Sequence, residues 1–178
     1  YLKRQNIAYE ITEHKAVFNM EEADAVDLPY PEWGAKNLFV RDDKKRNYYL
    51  ITMKGNKRVD LKAFRRQRGL RALSFAAAEE YKQADLKKVR DEIGSSRLSF
   101  ASAERLMKYL NIEPGSVSPL GVLNDQECVI PVFFDEDLKE YEYIAVHPND
   151  NTATVWMQAD DLMKIIQKHG NTVEYACI

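Results

Sequence analysis

Apolar residues gather in short runs along this chain, never in long ones. Residues 36–41 and 48–53 are apolar and aromatic-rich, and between them stands the polar run Asp-Asp-Lys-Lys-Arg-Asn. A strand, a polar turn and a second strand predict a hairpin. Further strands are predicted at 8–12, 121–123, 129–134, 143–146 and 153–157, with a short helix at 21–26 and another ahead of residue 8. Asp160 is placed to cap a helix through Leu162, Ile165 and Ile166, which Gly170 would end. Strands mixed with helices and hairpins predict an α+β fold, a mixed β-sheet with flanking helices. No Pro/Gly/Ser-rich linker divides the 178 residues, a length that suits one domain.

One segment repeats. Residues 60–80 align without gaps on 85–105, and both copies contain Leu-Ser-Phe-Ala, at 73–76 and 98–101. A tandem duplication of 25-residue period, spanning about 60–105, explains this. Two copies are too few for a solenoid, which needs about three units to bury a continuous face. The second copy runs directly into the Gly-Ser-Val segment after it, and the first carries Arg65, Arg66, Arg68 and Arg71, which either contact RNA or pad the surface.

Charge sharpens this reading. The net charge is −2, yet residues 36–71 carry a local balance of +10 and the remainder −12. A basic segment on an acidic body can attract phosphates without making the protein basic overall; a solvated surface is the plain alternative. No apolar run approaches 18 residues, so no membrane partner is expected. Cys128 and Cys177 are two and far apart, which argues against a disulfide framework and for a reducing, cytoplasmic setting. The chain begins at Tyr1 rather than Met, so the natural start is expected upstream; no targeting segment is visible.

The chemistry must use few dedicated groups. There is no nucleophile elbow, Walker loop or dinucleotide fingerprint, and no Cys/His pair has metal spacing. His14, His147 and His169 are scattered singly, so neither metal nor cofactor is expected. Gly115-Ser116-Val117-Ser118-Pro119 reads as an ordinary turn or as a loop that a substrate approaches closely, since Gly permits unusual dihedrals and Pro stiffens the exit. Asn124 and Asp125 either accept an amino group or close a turn. His147, in His147-Pro148-Asn149-Asp150-Asn151-Thr152-Ala153-Thr154, is either a hydrogen-bonded structural histidine or a group that holds a water. Asn151 and Thr154 read as residues that fix this loop. Lys36, followed by Asn37, reads by itself as a surface lysine.

Taken together, Lys36-Asn37-Leu38-Phe39, the Gly-Ser-Val-Ser-Pro run, Gly121-Val122-Leu123-Asn124-Asp125 and the His-Pro segment resemble the prolyl-tRNA editing deacylases (YbaK/ProX-like). The resemblance spans about residues 7–170, less the duplicated segment; the family pattern has one such copy running into the Gly-Ser-Val motif, which implies that the second copy is the core element and the first an extra helical excursion. It implies a hydrolase that clears wrongly attached amino acids from tRNA by attack of water on the aminoacyl ester. The free-standing alanyl-specific branch is the most similar, implying as substrate the acceptor end of tRNA(Pro) carrying alanine, with prolyl-tRNA synthetase as a candidate partner and no DNA. The resemblance makes Lys36 the residue most closely tied to activity, a compact ammonium for the terminal adenosine's phosphate or ribose. It makes Gly115, Ser116, Val117, Ser118 and Pro119 the lining of the aminoacyl pocket, whose backbone N–H groups stabilise the oxyanion. His147 joins Lys36 and Gly115 as a catalytic candidate; Asn37, Asn124, Asp125 and Asn151 join the lining. Such a site completes a double sieve, because a synthetase pocket shaped for proline rejects smaller alanine by only a few kcal/mol. Cysteinyl-tRNA(Pro) editing and a non-catalytic tRNA-binding or regulatory module of the same fold remain the competing readings.

Overall fold

The computed structural model describes residues 1–17, 22, 25–42, 46–55, 57, 61–70, 73–75 and 103–178. The helix expected at 21–26 lies largely outside them. The helix expected ahead of residue 8 is a single 3-10 turn, Lys3–Gln5.

Two sheets form the body. The smaller has the order β1-β7-β6, from β1 (Tyr9–Glu13), β6 (Tyr143–Val146) and β7 (Ala153–Gln158), all antiparallel. The larger has five strands: β2 (Ala35–Asp42), β3 (Tyr48–Lys54), β4 (Leu73–Phe75), β5 (Val132–Asp135) and β8 (Val173–Ala176). Its order is β4-β2-β3-β5-β8, and the β3–β5 and β5–β8 pairings are parallel. A single bridge, Gly34 to Ala145, joins the two sheets.

The larger sheet is covered on both faces, which is why β2 and β3 read as near-continuous apolar runs. On one face Phe39, Leu50, Val132 and Phe134 pack against Leu106 and Leu110 of α2 (Ala103–Leu110) and against Leu162, Ile165 and Ile166 of α3 (Ala159–His169). The inner side of the small sheet, with Ile144, Val146, Val155 and Met157, closes this core. On the other face Leu38, Val40, Ile51, Met53 and Phe133 meet Phe64 of α1 (Leu61–Gln67). Phe64 is fully buried, worth about 1.5–3 kcal/mol relative to exposure.

The first copy is therefore not the excursion that the resemblance implies. The first copy supplies α1 and β4, and β4 pairs with β2 from Val40–Phe75 to Asp42–Leu73. It is built into the core rather than appended. The second copy ends three residues into α2, so among the described residues the repeat's complete helix and strand both come from the first copy.

Three further expectations change. Residues 121–123 are not a strand but part of a 3-10 helix, Pro119–Asn124, started by Pro119 and capped by the Ser118 hydroxyl. The strand expected at 129–134 is shifted to Val132–Asp135, because Pro131 has no N–H and Ile130 gives its own to Asp125. The cap of α3 is Gln158, without a side-chain bond; Asp160 lies inside the first turn, where a carboxylate favours the positive end of the helix. Gly170 does end α3, at φ 122°, and a Cβ there would stand 2.8 Å from Cys128 Sγ.

Candidate functional site

Alternation along β2 separates its two leading candidates. Lys36 faces the side of Leu38 and Met53, and Asn37 the side of Phe39. Asn37 is buried; its amide donates to the Val117 carbonyl at 3.1 Å and its oxygen accepts from the Thr52 hydroxyl at 2.9 Å. These bonds tie the Gly-Ser-Val-Ser-Pro loop to the centre of the hairpin.

Within that loop Gly115 has φ 87°, a left-handed value that a Cβ would strain. Ser116, Val117 and Ser118 are buried. Three amides are already committed: Ser116 N–H to Glu113 O, Leu120 N–H to the Ser118 hydroxyl, and Gly121 N–H to Ser118 O. Asn149, which the sequence did not single out, holds the neighbouring loop against this one. It adopts φ 66°, its amide donates to Leu120 O at 3.4 Å, and its buried oxygen has no protein partner. An Asn between Pro148 and Asp150 is the local sign of such a left-handed turn.

The Lys36 ammonium is half-buried and donates to the backbone carbonyl of Lys57. Burial holds its pKa below the usual lysine range. The side chain of Lys57 turns to two carboxylates, at 2.8 Å from Asp135 and 2.9 Å from Asp137. Burial alone would lower the Lys57 pKa, but hydrogen bonds to both carboxylates outweigh it and raise it. Neither Lys57 nor Asp135 carried a signal in the sequence, because a long-range ion pair leaves no spacing.

The histidines expected to be scattered are brought together in part. The rings of His14 and His147 lie 6.3 Å apart beside the small sheet. His147 Nδ1 lies 2.9 Å from the Ala153 carbonyl, which only accepts, so Nδ1 carries the proton and Nε2 is the acceptor in the neutral ring. Burial pushes its pKa below the ordinary 6.5; the bond to Ala153 works the other way, and His14 nearby adds to the lowering. His14 Nε2 meets the Thr154 hydroxyl at 3.0 Å. The side-chain amide of Asn151 donates to Val17 O and its backbone carbonyl accepts from Val17 N–H, each at 3.1 Å, so Asn151 fixes its loop.

Asn124 and Asp125 are spent on the scaffold. Asn124 donates to Leu110 O at 2.7 Å, and Asp125 accepts from Ile130 N–H and the Asn171 amide. Of their two readings the geometry favours the closed turn. The structure thus gathers Asn37, the 115–119 loop and Asn149 around one seam, with Lys36 at its border on the opposite face of β2. Among the described residues no group of three or more His, Cys, Asp or Glu side chains could hold a metal, and no helix is long and apolar enough to cross a membrane.

Comparison with known proteins identifies the family and the fold. The family model for the aminoacyl-tRNA editing domain matches residues 14–84 and 81–165, two stretches that meet inside the repeat. A curated relative, the prolyl-tRNA editing protein ProX of Acetoanaerobium sticklandii, is 39% identical over 96% of this chain and 89% of its own. The prolyl-tRNA synthetase associated domain-containing protein 1 of Mus musculus is 26% identical over 93% of this chain and 85% of its own. A solved structure described as a candidate trans-editing enzyme for prolyl tRNA synthetase superimposes with a TM-score of 0.62 at 20% identity, covering 95% of this chain and 85% of that one, which speaks to the fold. With one family model over most of its length and a relative well above 30% identity, the chain belongs to the aminoacyl-tRNA editing domain family.

Proposed function

We propose that this protein is a trans-acting deacylase that hydrolyses alanyl-tRNA(Pro). The observation that carries the reading is the seam itself: a loop opened by a left-handed glycine and fixed by Asn37 to the strand that presents Lys36. Lys36 binds the phosphate or ribose of the terminal adenosine. A lysine whose ammonium rests on a neutral carbonyl, and among the described residues on no carboxylate, suits that task, since it keeps donors for the substrate. With Ser116, Leu120 and Gly121 committed, the amides of Gly115, Val117 and Ser118 are the donors left to meet the oxyanion as water attacks the ester carbon. The C–O bond to the ribose then breaks, and the proton from water passes to the leaving hydroxyl. His147, neutral and bonded to its own hairpin, serves best as the support of the loop that carries Asn149.

The ProX relative is named for prolyl-tRNA editing, which supports tRNA(Pro) as the carrier and prolyl-tRNA synthetase as the enzyme whose errors are cleared. Alanine follows from sieving: a pocket that admits Ala and excludes Pro removes the error the synthetase cannot avoid. The test is hydrolysis of alanyl-, cysteinyl- and prolyl-tRNA(Pro) side by side. Selective release of alanine is expected. Release of cysteine alone would move the protein to the neighbouring specificity, and binding without hydrolysis would make it a tRNA-binding module.

A further inference from the structure

Asp135 is a buried carboxylate with no part in the mechanism above, and its place in the sheet gives it one. On β5, Val132 and Phe134 face the core with α3, so Phe133 and Asp135 face the other way, with Lys36, Leu38 and Met53. The β3–β5 register pairs Thr52 with Phe134, and its continuation sets Asp135 beside Met53, which pairs with Lys36. Lys36 and Asp135 therefore stand in one row of one face, two strand spacings or about 10 Å apart along the backbone. Lys57 fills the interval. Its carbonyl accepts from the Lys36 ammonium and its own ammonium lies 2.8 Å from Asp135, whose side chain is 0% exposed.

Two ammonium groups thus face one buried carboxylate, and only one has it. A half-buried lysine near an open carboxylate would be drawn to it, since a carboxylate offers the ammonium a full opposite charge where a carbonyl offers only a dipole. We propose that Lys57 and Asp135 are a positioning pair: by occupying the buried carboxylate, Lys57 leaves the Lys36 ammonium on a neutral backbone carbonyl, where an incoming phosphate or ribose can take it. Asp137, half exposed, adds a second acceptor that keeps Lys57 in place. The pair touches no substrate and acts through Lys36. The inference rests on the deacylase reading for its consequence in turnover, but not for its effect on Lys36.

The test follows the Lys36 amine directly, by NMR titration of lysine labelled at Cε, with Lys36→Arg to assign the signal. In the wild type Lys36 titrates below the ordinary lysine range. In Lys57→Met the freed Asp135 captures Lys36, so its titration moves up and kcat/KM for alanyl-tRNA(Pro) falls roughly tenfold. Removing the carboxylate as well, in Lys57→Met/Asp135→Leu, returns the titration to its low position and recovers part of the lost turnover. A pair with a merely structural role predicts no such return. The double variant leaves no unpaired buried charge, and replacing a buried ion pair by apolar groups is often neutral for stability. Should Lys57→Met not fold, Lys57→Arg keeps Asp135 occupied and must leave the Lys36 titration at its wild-type position. An unmoved titration in Lys57→Met, no return in the double variant, or a shift in Lys57→Arg would overturn the proposal. If the wild type cleaves no ester, the deacylase reading fails while the titrations still decide the pair.

Discussion

The two sheets treat their ionisable groups in opposite ways. At the border of the larger sheet, two ammonium groups stand on separate acceptors, Lys36 on a backbone carbonyl and Lys57 on the carboxylates of Asp135 and Asp137. Beside the smaller sheet, His14 and His147 are spent on a hydroxyl and a carbonyl, and burial favours the neutral form of His147. A polyanionic substrate needs the first kind of corner, because a preserved ammonium can exchange one acceptor for a phosphate. The second kind is a scaffold, whose task is to hold a loop. The charged corner is where function should break under substitution, and the neutral corner is where stability should.

The largest expected effect is at Lys36. Lys36→Ala should lower kcat/KM for alanyl-tRNA(Pro) by about a hundredfold or more, the scale of one lost charge-assisted transition-state contact. Melting should hardly change, since burial disfavours this ammonium in the folded state. Lys36→Arg should not restore activity, because a planar fork cannot replace a compact ammonium on the Lys57 carbonyl.

Next comes the tie between sheet and loop. Asn37→Ala strands the Val117 carbonyl and the Thr52 hydroxyl in the interior and should cost about 1–3 kcal/mol in chemical unfolding. Because the loop would shift, kcat should fall as well, on the order of tenfold for a displacement near 1 Å. A variant that is destabilised yet fully active would detach the loop from the chemistry.

The neutral corner gives the pH prediction. The folded-state pKa of His147 lies below 6.5, so the unfolded chain binds more protons between the two values. The contribution is complete above pH 6.5 and is lost as pH falls through that value toward the lower one. His147→Asn, whose amide can still donate to Ala153 O, should flatten this acid decline. Thermal melts from pH 7.5 to 5 check it. The smallest effect belongs to the exposed pair Lys54–Glu140: Glu140→Gln should leave melting and turnover at wild-type values.

Much of the fold was legible, for local reasons. The β2–β3 hairpin, β6, β7 and α3 follow from short apolar runs, a polar turn and a terminal glycine. What was misread depended on distant partners or on one overlooked start signal. Gly121-Val122-Leu123 looks like a strand only if Pro119 and the Ser118 cap before it are ignored. The first repeat looks like an excursion because the family pattern has one copy, and nothing in its arginines announces that Phe64 is buried or that β4 pairs with β2. The motifs point to the loop, Lys36 and Asn37, and contain Asn149 without marking it out. Lys57 and Asp135 stand outside them, because their contact arises from sheet pairing between segments far apart in sequence.

The most direct test is single-turnover hydrolysis of alanyl-tRNA(Pro) by the wild type, Lys36→Ala and His147→Asn, with melting curves for each. The account predicts near-complete loss in Lys36→Ala without loss of fold, and turnover within about tenfold of wild type in His147→Asn at neutral pH. Retained hydrolysis in Lys36→Ala, or its abolition in a well-folded His147→Asn, would contradict it and place the chemistry at the other corner.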